Sequence, residues 1–417
     1  MVRLLTLATP PRLALGLLLL ASLWCRLVWL TTPDKASIFD EVYYVNATRI
    51  ILGVQVAPGD HYAGSPVGLD PNTEHPPLGK AIMAVSMRVL GDDPYGWRIP
   101  SVIAGMLAIL LLYAIVRAGG GDAWMGVIAA TLFSFDNLVL IQSRAGMLDM
   151  MLVLFLLCGA WCYLRSWPVL AGAGLALAAD VKISGLYGLL AILLCEAARL
   201  GLRRRRSHAW NVADLKPVAY LVGSFLVVWI GVLWLLDLKL SSYHNPFDHL
   251  HHILQYGVNL TRRGGPANEE SYPWQWLAND VQLNYFSTIV TTTAGSDVLH
   301  RYTVNFRGAM NPVIIGSASF GFFYAVWRAW HFQDRLSLWV VTWVIGTYLP
   351  YYPLVIVQGR IGYLYYFLPT LPAVAVGLAQ FLRQTELPRP VVWGYLAVVL
   401  VGFVAYFPFR TIISLGG

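Results

Sequence analysis

Apolar segments separated by short polar ones recur from one end of the chain to the other. Many approach the roughly 20 residues that a helix needs to cross a bilayer. The pattern predicts about eleven membrane-spanning helices, and the chain is therefore expected to be an all-α polytopic membrane protein. The predicted spans cover residues 13–30, 99–117, 123–140, 147–164, 168–181, 183–200, 217–236, 313–330, 337–357, 361–382 and 391–409.

The composition agrees with this pattern and narrows the class of protein. Of the 417 residues, 57% are hydrophobic and only 12% are charged, against about 25% charged residues in an ordinary soluble domain. The net charge of +7 lies mostly in the loops between spans, so it does not indicate nucleic-acid binding. The four cysteines all fall inside apolar segments without a CxxC pair, which gives no sign of a disulfide framework.

The distribution of basic residues predicts the orientation in the membrane. The first apolar segment is long for a signal peptide and lacks a clear cleavage site, so we expect it to be the first span, with the N-terminus in the cytoplasm. Counting from there, each predicted cytoplasmic loop carries Arg or Lys close to a span, as the positive-inside rule requires. These basic residues are Arg117, Arg165, the run "RRRR" at 203–206, Lys216, Arg328, Arg335, Arg383 and Arg389.

Two long loops, at 31–98 and 237–312, fall on the outer side in this count. In the first loop, segments 39–53 and 75–91 are too short to span a bilayer, and we expect helices that lie at its interface. The second loop is rich in aromatic residues, which suit that interface. The predicted organisation is an N-terminal transmembrane catalytic module (1–236), the second outer loop (237–312) and a C-terminal four-helix transmembrane module (313–417).

Polar and charged residues that are costly near hydrocarbon converge on the outer side. Such residues often mark a functional site in a membrane protein. Because several separate segments place such residues at the same leaflet, we expect the functional site at the outer side of the membrane. They are Asp40, Glu41, His75, Lys80, Arg98, Asp136, Asn137, Arg144, Asp149, Lys182, Gln358 and Arg360.

Several of these residues also allow a structural interpretation. Asp40 follows Ser37 in a pattern that suits a helix cap. Lys182 could extend its ammonium group to the interface, and Arg144 could pair with Asp149.

Four histidines, at 244, 249, 251 and 252, suggest a metal site, but "SSYHNPFDHLHH" lacks a clean ligand spacing. We expect these histidines to be interfacial or structural.

The combination of motifs resembles the protein O-mannosyltransferase family. "FDEVYYV" is similar to the acidic motif that opens the family's first outer loop, and "HPPLGK" to the next motif in that loop. "DNLVLIQSRAGMLDMMLV", "VKISGLY", "YPWQWL" and "QGRIGYLYYFLPTLPAVA" resemble further family segments in the same order. The second outer loop has no room for the β-trefoil domain of eukaryotic members, so the resemblance is to a prokaryotic-type enzyme.

The resemblance implies a C-type glycosyltransferase fold with about eleven spans and two long outer loops. It implies transfer of a sugar, mannose above all, from a polyprenyl-phosphate donor to a Ser/Thr hydroxyl, with inversion and without a metal or other cofactor. Asp40 would be the base and Glu41 an orienting group. Arg98, Arg144, Lys182, Gln358 and Arg360 would bind the donor, supported by His75, Lys80, Asn137, Asp149 and Tyr365.

Two other functions remain open from the sequence. A related enzyme could modify a glycolipid or a cell-wall glycan and keep the donor-binding arginines. A flippase for lipid-linked sugars should show inverted repeats and polar residues near the midplane, whereas here the polar residues lie mostly at one leaflet. The expected partners are the lipid-linked donor, a protein or glycolipid acceptor and the bilayer, with coupling to protein export and no nucleic acid.

Overall fold

The structure is a computed structural model that describes residues 10–32, 37–207, 212–262, 264–295 and 297–409 of the chain. Its helices in chain order are α1 Pro10–Leu27, α2 Glu41–Ile51, α3 Leu78–Leu90, α4 Pro94–Ala118, α5 Ala123–Ser134, α6 Asn137–Gln142, α7 Asp149–Leu164, α8 Pro168–Val181, α9 Leu186–Ser207, α10 Lys216–Leu240, α11 Pro246–Asn259, α12 Pro273–Ala278, α13 Pro312–Phe332, α14 Arg335–Tyr348, α15 Tyr351–Gln358, α16 Leu371–Gln384 and α17 Arg389–Ala405. Short 3₁₀ segments occupy Ile183–Gly185, Val212–Leu215 and Leu364–Thr370.

Six apolar helical stretches in the described residues are long enough to cross a membrane: Pro10–Leu27, Pro94–Ala118, Ile183–Arg204, Ala213–Leu240, Arg335–Gln358 and Leu364–Gln384. Four shorter apolar helices, α5, α7, α8 and α17, accompany them. The chain is thus a multi-pass membrane protein. The predicted count of eleven spans is not confirmed.

One predicted span, 123–140, is broken by a buried carboxylate. The Asp136 side chain caps α6, because one of its oxygens accepts hydrogen bonds from the backbone N–H groups of Leu138 and Val139. Its other oxygen accepts from the N–H of Asn311, at 2.8 Å, just before α13. A carboxylate that satisfies free N–H groups at a helix start stabilises that start. The chain therefore forms two helices, α5 and α6, where hydropathy alone predicts one.

Small residues allow the central helices to approach each other closely. A side-chain carbon at Gly172 on α8 would lie 2.1 Å from the backbone oxygen of Leu221 on α10, so only glycine fits at this contact. Close contact of this kind is typical of helix packing in membranes, where dispersion contacts replace the hydrophobic effect. On its other side α8 packs against α7. The N-terminal end of α7 and the C-terminal end of α8 are thereby held side by side.

The two long loops, 31–98 and 237–312, contain the predicted helices and an unpredicted sheet. Helices α2 and α3 occupy the segments expected at 39–53 and 75–91. The second loop, however, contains an antiparallel hairpin of β1 (Leu283–Ala294) and β2 (Asp297–Gly308). The expectation of an all-α chain is wrong at this point, and the protein is mostly helical. The run "STIVTTT" is rich in β-branched residues, which favour strands, and that signal outweighs the helical pattern of the neighbouring segments.

Candidate active site

A cavity of about 820 Å³ lies where the two long loops, 31–98 and 237–312, meet the ends of the membrane helices. Its volume falls within the range of about 300–1,000 Å³ that is usual for small-molecule sites. Seven residues predicted from the sequence line it, although they come from five distant segments of the chain. They are Asp40, His75, Asp149, Lys182, Gln358, Arg360 and Tyr365.

Asp40 is held in the cavity wall by an unusual backbone conformation. The preceding residue, Phe39, has a φ of +51°, a left-handed conformation that is rare for a bulky side chain. The N–H of Phe39 donates to the Tyr285 carbonyl of the hairpin at 3.2 Å, and the two rings meet edge to face. The Asp40 side chain makes no capping hydrogen bond with the described residues of α2. Its carboxylate is therefore available to a ligand.

The surroundings of Asp40 change its acidity. Burial raises the pKa of the Asp40 carboxyl to about 7, while the positive charge of Lys182 opposes this rise and the carboxylates of Asp149 and Glu269 add to it. Such a group exchanges its proton near neutral pH. A carboxyl group tuned in this way suits general-base chemistry.

Lys182 and Asp149 form an ion pair where α8 ends and α7 begins. The Lys182 Nζ lies 2.9 Å from Asp149 Oδ1. It also lies 5.1 Å from the ring centre of Tyr365 and 6.0 Å from that of Tyr366, close enough for cation–π attraction. Asp149 begins α7, where a helix N-terminus favours negative charge. The pair brings an ammonium group and a carboxylate into the cavity from positions 33 residues apart.

Arg360 enters the cavity from a tight turn after α15. Gly359, at φ +66°, ends that helix in the left-handed conformation that favours glycine. Arg360 then pairs in a short antiparallel bridge with Thr261, and its guanidinium donates to the carbonyl of Gly257 on α11. Helix α11 thus orients a guanidinium group along the cavity wall.

Glu41 and Arg98 lie behind the cavity wall and bind each other. The two side chains form a bidentate pair, with Nε–Oε1 and Nη2–Oε2 both at 2.9 Å, and both residues are fully buried. The Glu41 carboxylate also accepts the N–H groups of Ile38 and Gly146, at 2.7 and 2.6 Å. This network fastens the segment before Asp40 to α4 and to the loop before α7.

Arg144, Lys80 and Asn137 also lie outside the cavity lining. Arg144 does not meet Asp149; its guanidinium donates to the Cys25 and Val28 carbonyls at the end of α1, at 2.5 and 2.7 Å, and faces the Phe409 ring.

Lys80 pairs with Asp70 at 2.6 Å and donates to the carbonyl of His75 at 2.9 Å. Asn137 donates to the Phe403 carbonyl at 2.9 Å. Each of these contacts joins two segments of the fold.

His75 presents an imidazole to the cavity that is neutral in this environment. Burial and the positive charges of Lys182, Lys80 and Arg360 all lower the pKa of its ring well below the ordinary value. A neutral imidazole can both donate and accept a hydrogen bond. His75 can therefore bind a hydroxyl group without adding charge.

Aromatic and acidic residues complete the lining, and of these the sequence analysis named only Tyr365. Tyr351 and Tyr366 stack with ring centres 5.3 Å apart, and Tyr363 and Tyr365 stack at 5.7 Å. The dense aromatic run "GYLYYFLP" was a visible signal for this platform. The further lining residues include Tyr43, Tyr44, Tyr187, Glu74, Glu269 and Glu270.

No group of three His, Cys, Asp or Glu side chains within the described parts of the chain is arranged to hold a metal ion. Lys182 and Arg360 are cationic side chains in the cavity lining.

Comparisons with known proteins agree with this architecture. A family model described as dolichyl-phosphate-mannose-protein mannosyltransferase matches residues 74–234. A Corynebacterium glutamicum protein named polyprenol-phosphate-mannose–protein mannosyltransferase is 25% identical over 90% of this chain and 85% of its own length. A protein of the same name from Mycolicibacterium smegmatis is 26% identical over 60% of this chain and 59% of its own.

Solved structures share the fold. The Saccharomyces cerevisiae protein O-mannosyltransferase Pmt1–Pmt2 complex bound to the sugar donor matches with a TM-score of 0.74 and 13% identity, covering 96% of this chain and 90% of that one. ArnT from Cupriavidus metallidurans in the apo state matches with a TM-score of 0.57 and 18% identity, covering 94% and 63%. Together, the motifs, the family model over residues 74–234 and the curated relatives make the chain similar to the protein O-mannosyltransferase family, and the solved structures show that it has a fold of the C-type glycosyltransferase kind.

Proposed function

We propose that this protein transfers mannose from a polyprenyl-phosphate donor to a Ser/Thr hydroxyl of a protein on the extracytoplasmic side of the membrane. The observation that carries the proposal is the cavity that brings together Asp40, the Lys182–Asp149 pair and Arg360. The names of the curated relatives supply the donor and the acceptor class.

The acceptor step requires a base, because a Ser or Thr hydroxyl is a weak nucleophile at neutral pH. The Asp40 carboxylate takes the hydroxyl proton while the acceptor oxygen forms a bond to the anomeric carbon of the sugar. The bond from that carbon to the phosphate oxygen breaks, and its electrons leave with the lipid phosphate. The transition state has the oxocarbenium character common to glycosyl transfer. A single displacement inverts the anomeric configuration.

The leaving phosphate gains negative charge as its bond to the sugar breaks. Lys182 and Arg360 are the two lining cations that we assign to this charge. Arginine can bind phosphate oxygens with two parallel hydrogen bonds, whereas lysine acts as a point charge. Arg98 and Arg144 are assigned instead to holding the fold, because their guanidinium groups already donate to Glu41 and to the end of α1.

Purified protein in lipid nanodiscs, supplied with radiolabelled polyprenyl-phosphate mannose, tests the proposal. We expect label on a Ser/Thr-containing peptide and none on the same peptide with Ala and Val in place of Ser and Thr. The mannose should be in the inverted anomeric configuration by NMR. Label on a glycolipid with none on the peptide would instead support a lipid-modifying enzyme.

A further inference from the structure

The histidine-rich segment after α10 is not part of the proposed chemistry, yet one of its histidines is almost fully enclosed. His249 on α11 is 1% exposed. Its Nδ1 lies 2.8 Å from Asp237 Oδ1 at the end of α10, and its Nε2 lies 3.0 Å from the backbone oxygen of Thr73. The ring of Tyr243 stacks on it, 4.7 Å away and nearly parallel. The histidine therefore joins α10, α11 and the first outer loop.

The two partners of the His249 ring determine how many protons its hydrogen bonds require. A backbone carbonyl only accepts hydrogen bonds, so Nε2 carries a hydrogen that points at Thr73. The contact between Nδ1 and Asp237 also needs one proton, on either the ring or the carboxyl group. The Asp237–His249 pair thus holds two protons in its two contacts, and removing the imidazole removes both hydrogen bonds.

Both ends of this link reach the proposed active site. Thr73 is followed directly by Glu74 and His75, which line the cavity. Two turns after His249 on α11, the Gly257 carbonyl accepts the guanidinium of Arg360. A second contact, between Thr73 Oγ1 and His252 Nε2 at 3.1 Å, reinforces the same junction. Any shift of α11 against the first outer loop would therefore move Arg360 relative to His75.

We infer that His249, oriented by Asp237, is a positioning residue that locks α11 onto the first outer loop through the Thr73 carbonyl and so sets Arg360 for the donor phosphate. The inference deepens the proposed function and rests on it for the role of Arg360. The junction itself can be tested without any assay of transfer.

Two substitutions separate the two hydrogen bonds of His249. Glutamine can place its amide N–H where Nε2 lies and keep the bond to Thr73, whereas asparagine can keep only the bond to Asp237. We expect His249→Asn to raise the KM for the donor by up to about tenfold, the upper end of what one hydrogen bond usually contributes, with little change in kcat. His249→Gln should restore most of the donor affinity. His251→Asn, at an exposed position of the same helix, is the matched control and should behave like the wild type.

Hydrogen exchange measured by mass spectrometry provides the readout that is independent of activity. Amides in 70–76 and 246–259 should exchange faster in His249→Asn than in His249→Gln or the wild type. Equal exchange and equal donor KM in the two His249 variants would overturn the inference. Absence of mannose transfer by the wild type would overturn the proposed function, while the exchange result would still decide whether His249 locks the two loops together.

Discussion

At the scale of single residues, Asp40 is the group whose surroundings most clearly suit catalysis. It lies between the cations of the cavity and the hairpin of the second outer loop, with its carboxylate free of a capping role in the described structure. Burial is the dominant influence on its pKa, and the charge of Lys182 limits the effect. With its pKa raised in this way, the Asp40 carboxylate is a strong enough base to take a hydroxyl proton in a transition state. The carboxyl group still loses its own proton near neutral pH.

The pKa of Asp40 predicts how transfer depends on pH. Because burial raises that pKa to about 7, the carboxyl group holds its proton below this pH and cannot act as a base. We expect kcat/KM for the acceptor to be level above about pH 7 and to fall about tenfold per unit below it. Initial rates between pH 5 and 9 at saturating donor would measure this profile. A rate that stays constant from pH 5 to 8 would assign the proton to another group.

The sequence indicated which residue types matter but not which of them share the cavity. Arg144 and Arg360 lie within two of the family-like motifs, and Arg98 lies between two others. The sequence alone does not show which of the three arginines reaches the cavity. The tertiary structure separates them. Arg98 is paired with Glu41, and Arg144 donates a hydrogen bond to the carbonyl of Cys25 near the end of α1. Of the three arginines, Arg360 is the one that lines the cavity.

At the scale of elements, the Glu41–Arg98 pair fastens the start of α2 to α4. The Glu41 carboxylate receives four hydrogen bonds, two from Arg98 and two from backbone N–H groups. Charges buried this completely are stable only when paired and hydrogen-bonded. The pair therefore holds the segment that carries Asp40, and we assign Glu41 to positioning instead of contact with the acceptor.

We expect Glu41→Gln to destabilise the protein strongly. The substitution leaves the buried Arg98 guanidinium without a counter-charge, which typically costs about 3–5 kcal/mol. Asp92→Asn is the matched control, because it breaks the more exposed Arg49–Asp92 pair, where a loss of about 1 kcal/mol or less is usual. Intrinsic tryptophan fluorescence during thermal unfolding in detergent would compare the two. Equal midpoint shifts in both variants would contradict this role for Glu41.

Hydropathy predicted the long helices well and their interruptions poorly. Segments such as Pro94–Ala118 and Lys216–Leu240 appear as helices where the apolar pattern placed them. The break at Asp136 depends on a partner, Asn311, that is 175 residues away. The hairpin had a local signal in its β-branched residues, which the prediction passed over because the rest of the chain has a helical pattern.

At the scale of the whole molecule, the site needs both outer loops on one side of the membrane. The cavity takes its walls from the first loop, the second loop and the ends of α7, α8 and α15. The basic residues near the other ends of the spans suggest that this shared side is extracytoplasmic.

Cysteine labelling on intact cells would test this orientation. In a background without the four native cysteines, we expect an impermeant thiol reagent to label Asp60→Cys and His251→Cys, which occupy exposed positions in the first and second outer loops. Arg204→Cys, near the end of α9, should react with the reagent only after the membrane is permeabilised. Labelling of Arg204→Cys on intact cells, or protection of either loop position, would contradict the orientation.

The central claim is that the Asp40 carboxylate deprotonates the acceptor, and single-turnover transfer by Asp40→Asn tests it most directly. Asparagine caps a helix about as well as aspartate but cannot accept the proton. With the donor prebound in nanodiscs, we predict that mannose transfer to the Ser/Thr peptide falls by about 10²–10⁴, the usual contribution of a general base. Donor affinity should change little, and Asp60→Asn should transfer normally. Transfer by Asp40→Asn at the wild-type rate would contradict the account.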